Sequence, residues 1–219
     1  TAEAPDLGAL LVASTPSFDA RTPGYVDLLD AADLRPIRRI ELPRRAFALA
    51  MDHKRGRLIV GNTLDGSLSV LDARSGVLLE VIQLGKPEGD GFEHTRMIEI
   101  DGESGRVFVS SPSEAGTLWI VDTAAGNAVT RIDDAGLWAA GLAHDPASGR
   151  VYVSGGGMNE ILIVDGRSGA RVGTLSTGDT TEPGQDASKH FFINLALDAK
   201  GERLFAADAN SGQLYVFDI

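Results

Sequence analysis

The stretch Gly56-Arg57-Leu58-Ile59-Val60-Gly61-Asn62-Thr63-Leu64-Asp65-Gly66-Ser67-Leu68-Ser69-Val70-Leu71-Asp72, followed by Ala73-Arg74-Ser75-Gly76, decides the fold. Two apolar runs of strand length flank a short turn carrying Asp65-Gly66. The second run ends in an aspartate just before another glycine turn. Val, Ile and Leu pack well on a pleated surface, and glycine reaches the positive φ that tight turns require. The stretch therefore reads as an antiparallel hairpin closed at both ends by turn chemistry.

The same pattern recurs along the chain, which makes it a repeat rather than a local accident. Leu118-Trp119-Ile120-Val121-Asp122 precedes Gly126, and Ile161-Leu162-Ile163-Val164-Asp165 precedes Gly169, with weaker copies ending at Asp30 and Asp218. These aspartates are spaced by 42, 50, 43 and 53 residues. A second series, Asp52, Asp101, Asp145 and Asp198, runs in register with the first. Each is followed by a turn and then by Arg57-Leu58-Ile59-Val60, Arg106-Val107-Phe108-Val109, Arg150-Val151-Tyr152-Val153 or Arg203-Leu204-Phe205-Ala206. The aspartate closing each third strand reads as a turn device, its carboxylate accepting backbone N–H bonds.

Each unit holds four short strands; in the second they fall near 46–51, 57–61, 67–71 and 77–84. No stretch carries a helical stripe. Four strands per repeat of roughly 43 residues is the arithmetic of an all-β β-propeller with four-stranded blades. The units run as a first blade over 8–42, blades over 46–84, 96–132 and 138–176, and a partial blade over 191–218, in one domain. The first is expected to lack its innermost strand and the last its outermost. Propellers close by pairing strands so that no edge stays bare, so the reading is of about five blades, complete or partial, of a longer, seven-bladed ring.

Composition excludes several functions. Of 219 residues, 20 are basic and 31 acidic, giving a formal charge of −11, and none is cysteine. Thiolate metal sites, a catalytic thiol and disulfides are thereby excluded, and the absence of cysteine fits an oxidising compartment. No apolar run approaches the roughly 20 residues needed to span a bilayer as a helix, so no membrane insertion is expected. The acidic balance argues against coating duplex DNA by charge alone.

The strand–turn–strand pattern from Val60-Gly61-Asn62-Thr63 to Ser69-Val70-Leu71-Asp72 resembles the YVTN repeat of bacterial β-propellers. Lys189-His190-Phe191-Phe192-Ile193-Asn194-Leu195-Ala196-Leu197-Asp198 is similar to a segment of the YncE-like periplasmic branch, as are the turns at Gly61-Asn62-Thr63 and Val164-Asp165-Gly166. The resemblance covers essentially the whole chain. It implies a seven-bladed parent, export to the periplasm, and binding of single-stranded DNA. A chain starting at Thr1 without a basic and apolar leader is consistent with a mature or trimmed form.

Aligning the units on the second aspartate series gathers the candidate site residues. Seven positions before each aspartate stand Arg45, His94, Trp138 and Phe191; five before stand Phe47, Arg96, Ala140 and Ile193; eight before stand Arg44, Glu93, Leu137 and His190. In a propeller these positions lie where loops enter the innermost strands. Cations and aromatic faces gathered at a channel mouth form a binding surface rather than a sealed core. The longer spacings come from loops 85–95, with Phe92, and 177–189, both entering an inner strand; loop 14–24, with Phe18, Asp19 and Arg21, is expected on the same face. Insertions in repeat proteins gather on binding faces.

The candidate ligand-binding residues are accordingly Arg45, Phe92, Glu93, His94, Arg96, Trp138, His190 and Asn194, with single-stranded DNA or a protein or peptide as ligand. No cofactor and no catalytic residue is assigned. The enzymatic alternatives rest on less. A metal-dependent hydrolase of the lactonase kind would draw on His94, His190, Glu93 and Asp90, or on Glu93, Asn194 and Asp208, but no short-spaced His pair supports it. Ser110, Ser111 and Ser113 lack a Gly-x-Ser-x-Gly elbow. Gly155-Gly156-Gly157 is not followed by the helix and Lys-Ser/Thr of a phosphate loop and reads as a turn. A non-enzymatic binding module is the reading the residues support, with a protein-interaction scaffold as the other alternative.

Overall fold

The computed structural model describes residues 1–17, 22–86, 93–113, 115–156, 159–179, 190–198, 200 and 202–219. They fall into two compact units, Thr1–Gly105 and Arg106–Ile219. Among the described residues all regular structure is β-strand apart from two single 3-10 turns, Pro5–Leu7 and Thr123–Ala125. Among the described residues no helix is long and apolar enough to cross a membrane.

In the first unit, β1 (Ala2–Ala4), β2 (Ala9–Ser14), β3 (Tyr25–Asp30) and β4 (Pro36–Glu41) form one antiparallel sheet in that order. A second sheet contains β5 (Ala46–Asp52), β6 (Arg57–Asn62), β7 (Ser67–Asp72) and β8 (Leu78–Gln83), again in chain order. Strand β9 (Met97–Ile100) follows. The first sheet is thus complete, against the expectation that it lacks its innermost strand. Three residues bounded by Pro5 carry no alternating apolar signal, yet Ala2, Glu3 and Ala4 pair with Leu11, Leu10 and Ala9.

Burial explains why the middle strands of the sheets announce themselves. Five of six residues in β6 and in β7 are buried, because both faces of the sheet are covered there. Such strands read as unbroken apolar runs rather than as alternation. The outermost strand β8 keeps only Ile82 buried. Leu11, Val26 and Leu28 of the first sheet pack with Leu49, Leu58, Val60 and Leu71 of the second in one core.

In the second unit, β10 (Arg106–Ser111), β11 (Thr117–Asp122) and β12 (Ala128–Asp133) are antiparallel with β11 in the middle. Strands β13 (Gly141–Asp145), β14 (Arg150–Ser154), β15 (Glu160–Asp165) and β16 (Arg171–Ser176) form a four-stranded sheet. Strands β17 (Phe192–Asp198), β18 (Arg203–Asp208) and β19 (Leu214–Asp218) form a three-stranded one. The two sheets share a core of Ala143, Tyr152, Ile161 and Ile163 against Phe192, Leu195, Leu204 and Ala206. The fourth unit was expected to start at residue 138; β13 instead begins at Gly141, leaving Trp138 in the preceding loop.

The aspartates act as the repeat predicts. Asp165 Oδ1 accepts the backbone N–H of Arg167 at 3.2 Å and of Ser168 at 2.7 Å, and the Ser168 hydroxyl at 2.7 Å. Asp72 Oδ1 takes Ser75 N–H and hydroxyl, and Asp122 Oδ1 takes Ala124 and Ala125 N–H. In the other series Asp145 receives Ala147 and Ser148 N–H, and Asp52 receives Arg55 N–H. Bonds from Ser168, first its hydroxyl and then its backbone, hold the Asp165 carboxyl below its usual value. Asp165→Ala should cost about 1 kcal/mol by losing these bonds, and thermal unfolding should show a drop of about 2–4 °C. Asp165→Asn, which retains one acceptor oxygen, should cost less.

Candidate functional site

The first unit gathers cations around one imidazole. The turn Asn62-Thr63 between β6 and β7 is fixed from within. Asn62 donates to Ser67 Oγ at 2.9 Å and accepts from Ser69 Oγ at 3.1 Å, while Thr63 N–H donates to Arg45 O at 3.1 Å. Thr63 Oγ1 lies 2.9 Å from His94 Nδ1. His94 is pushed below the ordinary histidine range by burial first, then by the guanidinium charges of Arg45 and Arg96. The imidazole is therefore neutral at neutral pH, and the positive charge of the cluster sits on the two arginines.

Those arginines differ in access. Arg45 is only 6% exposed, whereas Arg96 lies over the ring of Phe47, its Cζ 4.9 Å from the centroid, with Phe47 itself 42% exposed. This is a cation–π pair at the surface. Arg44 is bound by the Asp65 carboxylate. Glu93 is buried, and its Oε2 accepts the backbone N–H of Lys86 at 3.1 Å. The structure thus brings Arg45, His94 and Arg96 together, adds Phe47 to them, and turns Glu93 toward the backbone. Phe92 and Asp90 lie outside the described residues, as do Phe18, Asp19 and Arg21.

In the second unit Trp138 is half exposed, with its backbone in the left-handed region at φ 54°. A residue with a Cβ is strained there. Asp134, in the same loop, has φ 53°. The strained loop is pinned from several sides. Leu137 O accepts Gly156 N–H at 2.8 Å, Ala140 N–H reaches Ser154 O at 2.8 Å, Ala135 N–H reaches Gly116 O at 3.1 Å, and Arg171 donates to Asp134 O at 2.9 Å. Ala135 and Ala139, before and after Trp138 in the chain, are fully buried. Gly155 makes the approach possible: a Cβ there would stand 2.1 Å from Leu137 O. Of the glycine run read as a turn, Gly155 and Gly156 are the surface against which this loop is seated, and Gly157 lies outside the described residues.

His190 and Asn194 lie at the entry to β17. Asn194 is exposed, opposite Ala207, just past a register shift. His190 is buried, its ring parallel to Phe192 with centroids 5.5 Å apart and edge-on to Tyr215 at 5.5 Å. Its Nδ1 is 2.9 Å from Asp208 Oδ2, and its Nε2 is 3.4 Å from Asp179 Oδ2.

Asp208 is the hub of that cluster. Its Oδ1 accepts Phe191 N–H at 2.9 Å and Asn210 N–H at 3.0 Å; its Oδ2 accepts the Ser211 hydroxyl at 2.7 Å and faces His190. Burial would raise its carboxyl, but the bonds from Phe191, Ser211, His190 and Asn210 outweigh burial and hold it far below the carboxylate range. All its acceptor capacity is engaged, so it organises the turn. The Ser211 hydroxyl donates to the aspartate rather than to the imidazole, unlike a serine–histidine–aspartate relay. Ser110, another hydroxyl weighed for hydrolysis, donates to Ala140 O in the interior. Among the described residues no group of three or more His, Asp or Glu side chains is placed to hold a metal ion.

Two features escaped the sequence reading. Asp179 stands in an insertion without any repeat partner to mark it. Glu99 on β9 is a carboxyl that burial pushes up to about 7. A signal for Glu99 existed: two positions before the second-series aspartates the other units carry Ala50, Ala143 and Ala196.

Comparison with known proteins places this geometry in a wider setting. No protein-family model matches the chain. It is 25% identical over 213 residues to the protein YncE of Salmonella typhi and 24% identical to that of Escherichia coli K12, both described as uncharacterized. Each match takes in 96% of this chain, which spans 58% of the length of those relatives. Among solved structures, hydrazine synthase of Kuenenia stuttgartiensis is similar with a TM-score of 0.76 and 17% identity, covering 99% of this chain and 70% of that one. A chain of the mitotic checkpoint complex is similar with a TM-score of 0.74 and 15% identity, covering 97% and 60%. The architecture is that of a β-propeller, as the repeat predicts.

Proposed function

We propose that this YncE-like β-propeller protein is a non-enzymatic binding protein of the periplasm whose inner-strand loops hold single-stranded DNA. The observation that carries the reading is Trp138, a half-exposed indole on a backbone held in the left-handed region. Strain of this kind persists only where surrounding contacts impose it, and it clusters where a side chain must be presented. An indole face accepts any base by stacking, which suits a strand bound without regard to sequence. Within the first unit, taken by itself, the guanidinium of Arg96 over the exposed ring of Phe47 is another place where a cation and an aromatic face meet. The net charge of −11 limits such binding to places where cations gather locally.

Titration of a labelled single-stranded oligonucleotide at low and at physiological salt, with a duplex control, tests the reading. Binding should favour the single strand and weaken as salt rises. Trp138→Ala should weaken it about five- to 160-fold, the equivalent of about 1–3 kcal/mol for one stacked base. Arg96→Gln should flatten the salt dependence. Absence of binding at low salt would overturn the nucleic-acid reading, and a protein or peptide would then be sought on the same loops.

A further inference from the structure

The turn between β3 and β4 breaks the repeat at one residue. Four positions after Asp72, Asp122, Asp165 and Asp208 stand Gly76, Gly126, Gly169 and Gly212, but four after Asp30 stands Leu34. The glycines have φ between 67° and 75°, and Leu34 keeps that backbone at φ 61°. The turn bond is kept as well: Leu34 N–H reaches Asp30 O at 2.8 Å, as Gly76 N–H reaches Asp72 O at 2.8 Å. Glycine enters this region without strain and leucine does not. Burial does not repay the strain, since Leu34 is 57% exposed. With Glu3, Pro5, Ala9, Leu10 and Ala31 it lines an open groove of about 360 Å³. The groove lies at the end of the first sheet where Ala9 faces Asp30, away from the end where Ser14 faces Tyr25.

Two of the glycine turns show what such a turn receives. In the first unit, β4 meets turn 72–76: Arg38 Nη1 donates to Ser75 O at 2.8 Å, and a Cβ on Gly76 would stand 3.0 Å from Ile40 Cγ1 and Cδ1. In the second unit, β12 meets turn 165–169, with Thr130 and Ile132 each 3.3 Å from a Cβ on Gly169. Each occupant is an extended strand that presents, on one face, a polar side chain two residues before an isoleucine. At turn 30–34 no described side chain donates to Asp33 O, the counterpart of Ser75 O. We propose that this turn and its groove dock an extended segment of another protein, with Arg or Lys two residues before Ile or Leu. Leu34 fills the place where Ile40 touches Gly76, so the incoming aliphatic side chain is set beside it, against Leu10 and Pro5. A long cationic side chain then reaches Asp33 O. The exposed Glu3 carboxylate on the groove wall and the chain's charge of −11 favour a cationic segment over an anionic one. This docking is independent of nucleic-acid binding at the inner-strand loops.

A labelled peptide with the sequence of residues 36–42 is the probe, because it carries the required spacing at Arg38 and Ile40. It should bind saturably, and peptides with serine for that isoleucine or glutamate for that arginine should bind about tenfold more weakly or not at all. Leu34→Gly in the protein should weaken the parent peptide about tenfold. The same variant should leave the melting temperature unchanged or raise it by up to about 4 °C, because strain is relieved where little is buried. No saturable binding at millimolar peptide, or equal binding of the glutamate peptide, would overturn the proposal. So would a fall of more than about 4 °C in L34G, which would make the leucine part of the sheet's own core. Self-association of the parent that L34G abolishes, seen by sedimentation, would overturn it in favour of a second copy. The peptide series decides even if the protein variant fails to fold.

Discussion

Replacing Glu99 with glutamine should stabilise the protein by about 3 kcal/mol more at pH 8 than at pH 4, relative to the parent. The effect follows from a carboxyl that burial moves from an unfolded value of 4.5 to about 7. Between those values the folded state holds a proton that the unfolded state has lost, so stability falls as pH rises through the window. Below it the group is neutral in both states and has no influence; above it the cost of a half-buried charge is present. Each tenfold change in proton affinity is worth about 1.36 kcal/mol, so the whole window amounts to about 3 kcal/mol. That is a large fraction of the roughly 5–15 kcal/mol that ordinarily separates folded from unfolded. Urea or thermal unfolding of parent and E99Q at the two pH values measures it. The expected difference in melting point at pH 8 is about 6–12 °C. A difference independent of pH would show that the Glu99 side chain is solvated.

Gly155→Ala should lower stability by about 2–3 kcal/mol and displace Trp138. The added methyl would stand 2.1 Å from Leu137 O and 2.9 Å from Trp138 O, both backbone atoms. Relief requires the loop to lift away, stretching the bonds from Gly156 N–H to Leu137 O and from Ala140 N–H to Ser154 O. Gly102→Ala is the control, since nothing lies within 4 Å of a Cβ there. Fluorescence separates the outcomes because Trp119 is fully buried and Trp138 is half exposed. Acrylamide quenching therefore reports mainly on Trp138 and should change in G155A. A stable G155A protein with unchanged quenching would mean that the loop yields without moving its indole.

The repeat was legible because its markers are local. An aspartate three residues before a serine or an amide it accepts, followed by glycine, needs no knowledge of the rest of the chain, and Asp72, Asp122 and Asp165 behave as their sequence context predicts. Doubly covered strands such as β6 and β7 add unbroken apolar runs. Strand β1 was missed because three residues with two alanines carry neither signal, and only pairing with Leu11, Leu10 and Ala9 defines it.

Which residues stand at equivalent positions of the repeat could be read from the sequence; what surrounds each of them could not. Alignment found Trp138, His94 and Arg96, but the strain at Trp138 depends on Gly155 and Gly116, contacts made across separate hairpins. Asp208 resembles any turn aspartate in sequence. Its hold on His190 arises from an approach between residues eighteen apart in the chain.

The carboxylate turns have a bearing on how such a chain can lengthen. A hairpin whose turn is satisfied by its own aspartate, serine and glycine carries its punctuation wherever the segment is copied. Duplicating a segment of one repeat therefore adds a unit with working turns at once, and only the surfaces between neighbouring sheets must be re-tailored. Repeat arrays tolerate this kind of growth because each unit answers mainly to its neighbours. Substitutions can then accumulate at the loops while the turns that hold the unit together stay unaltered.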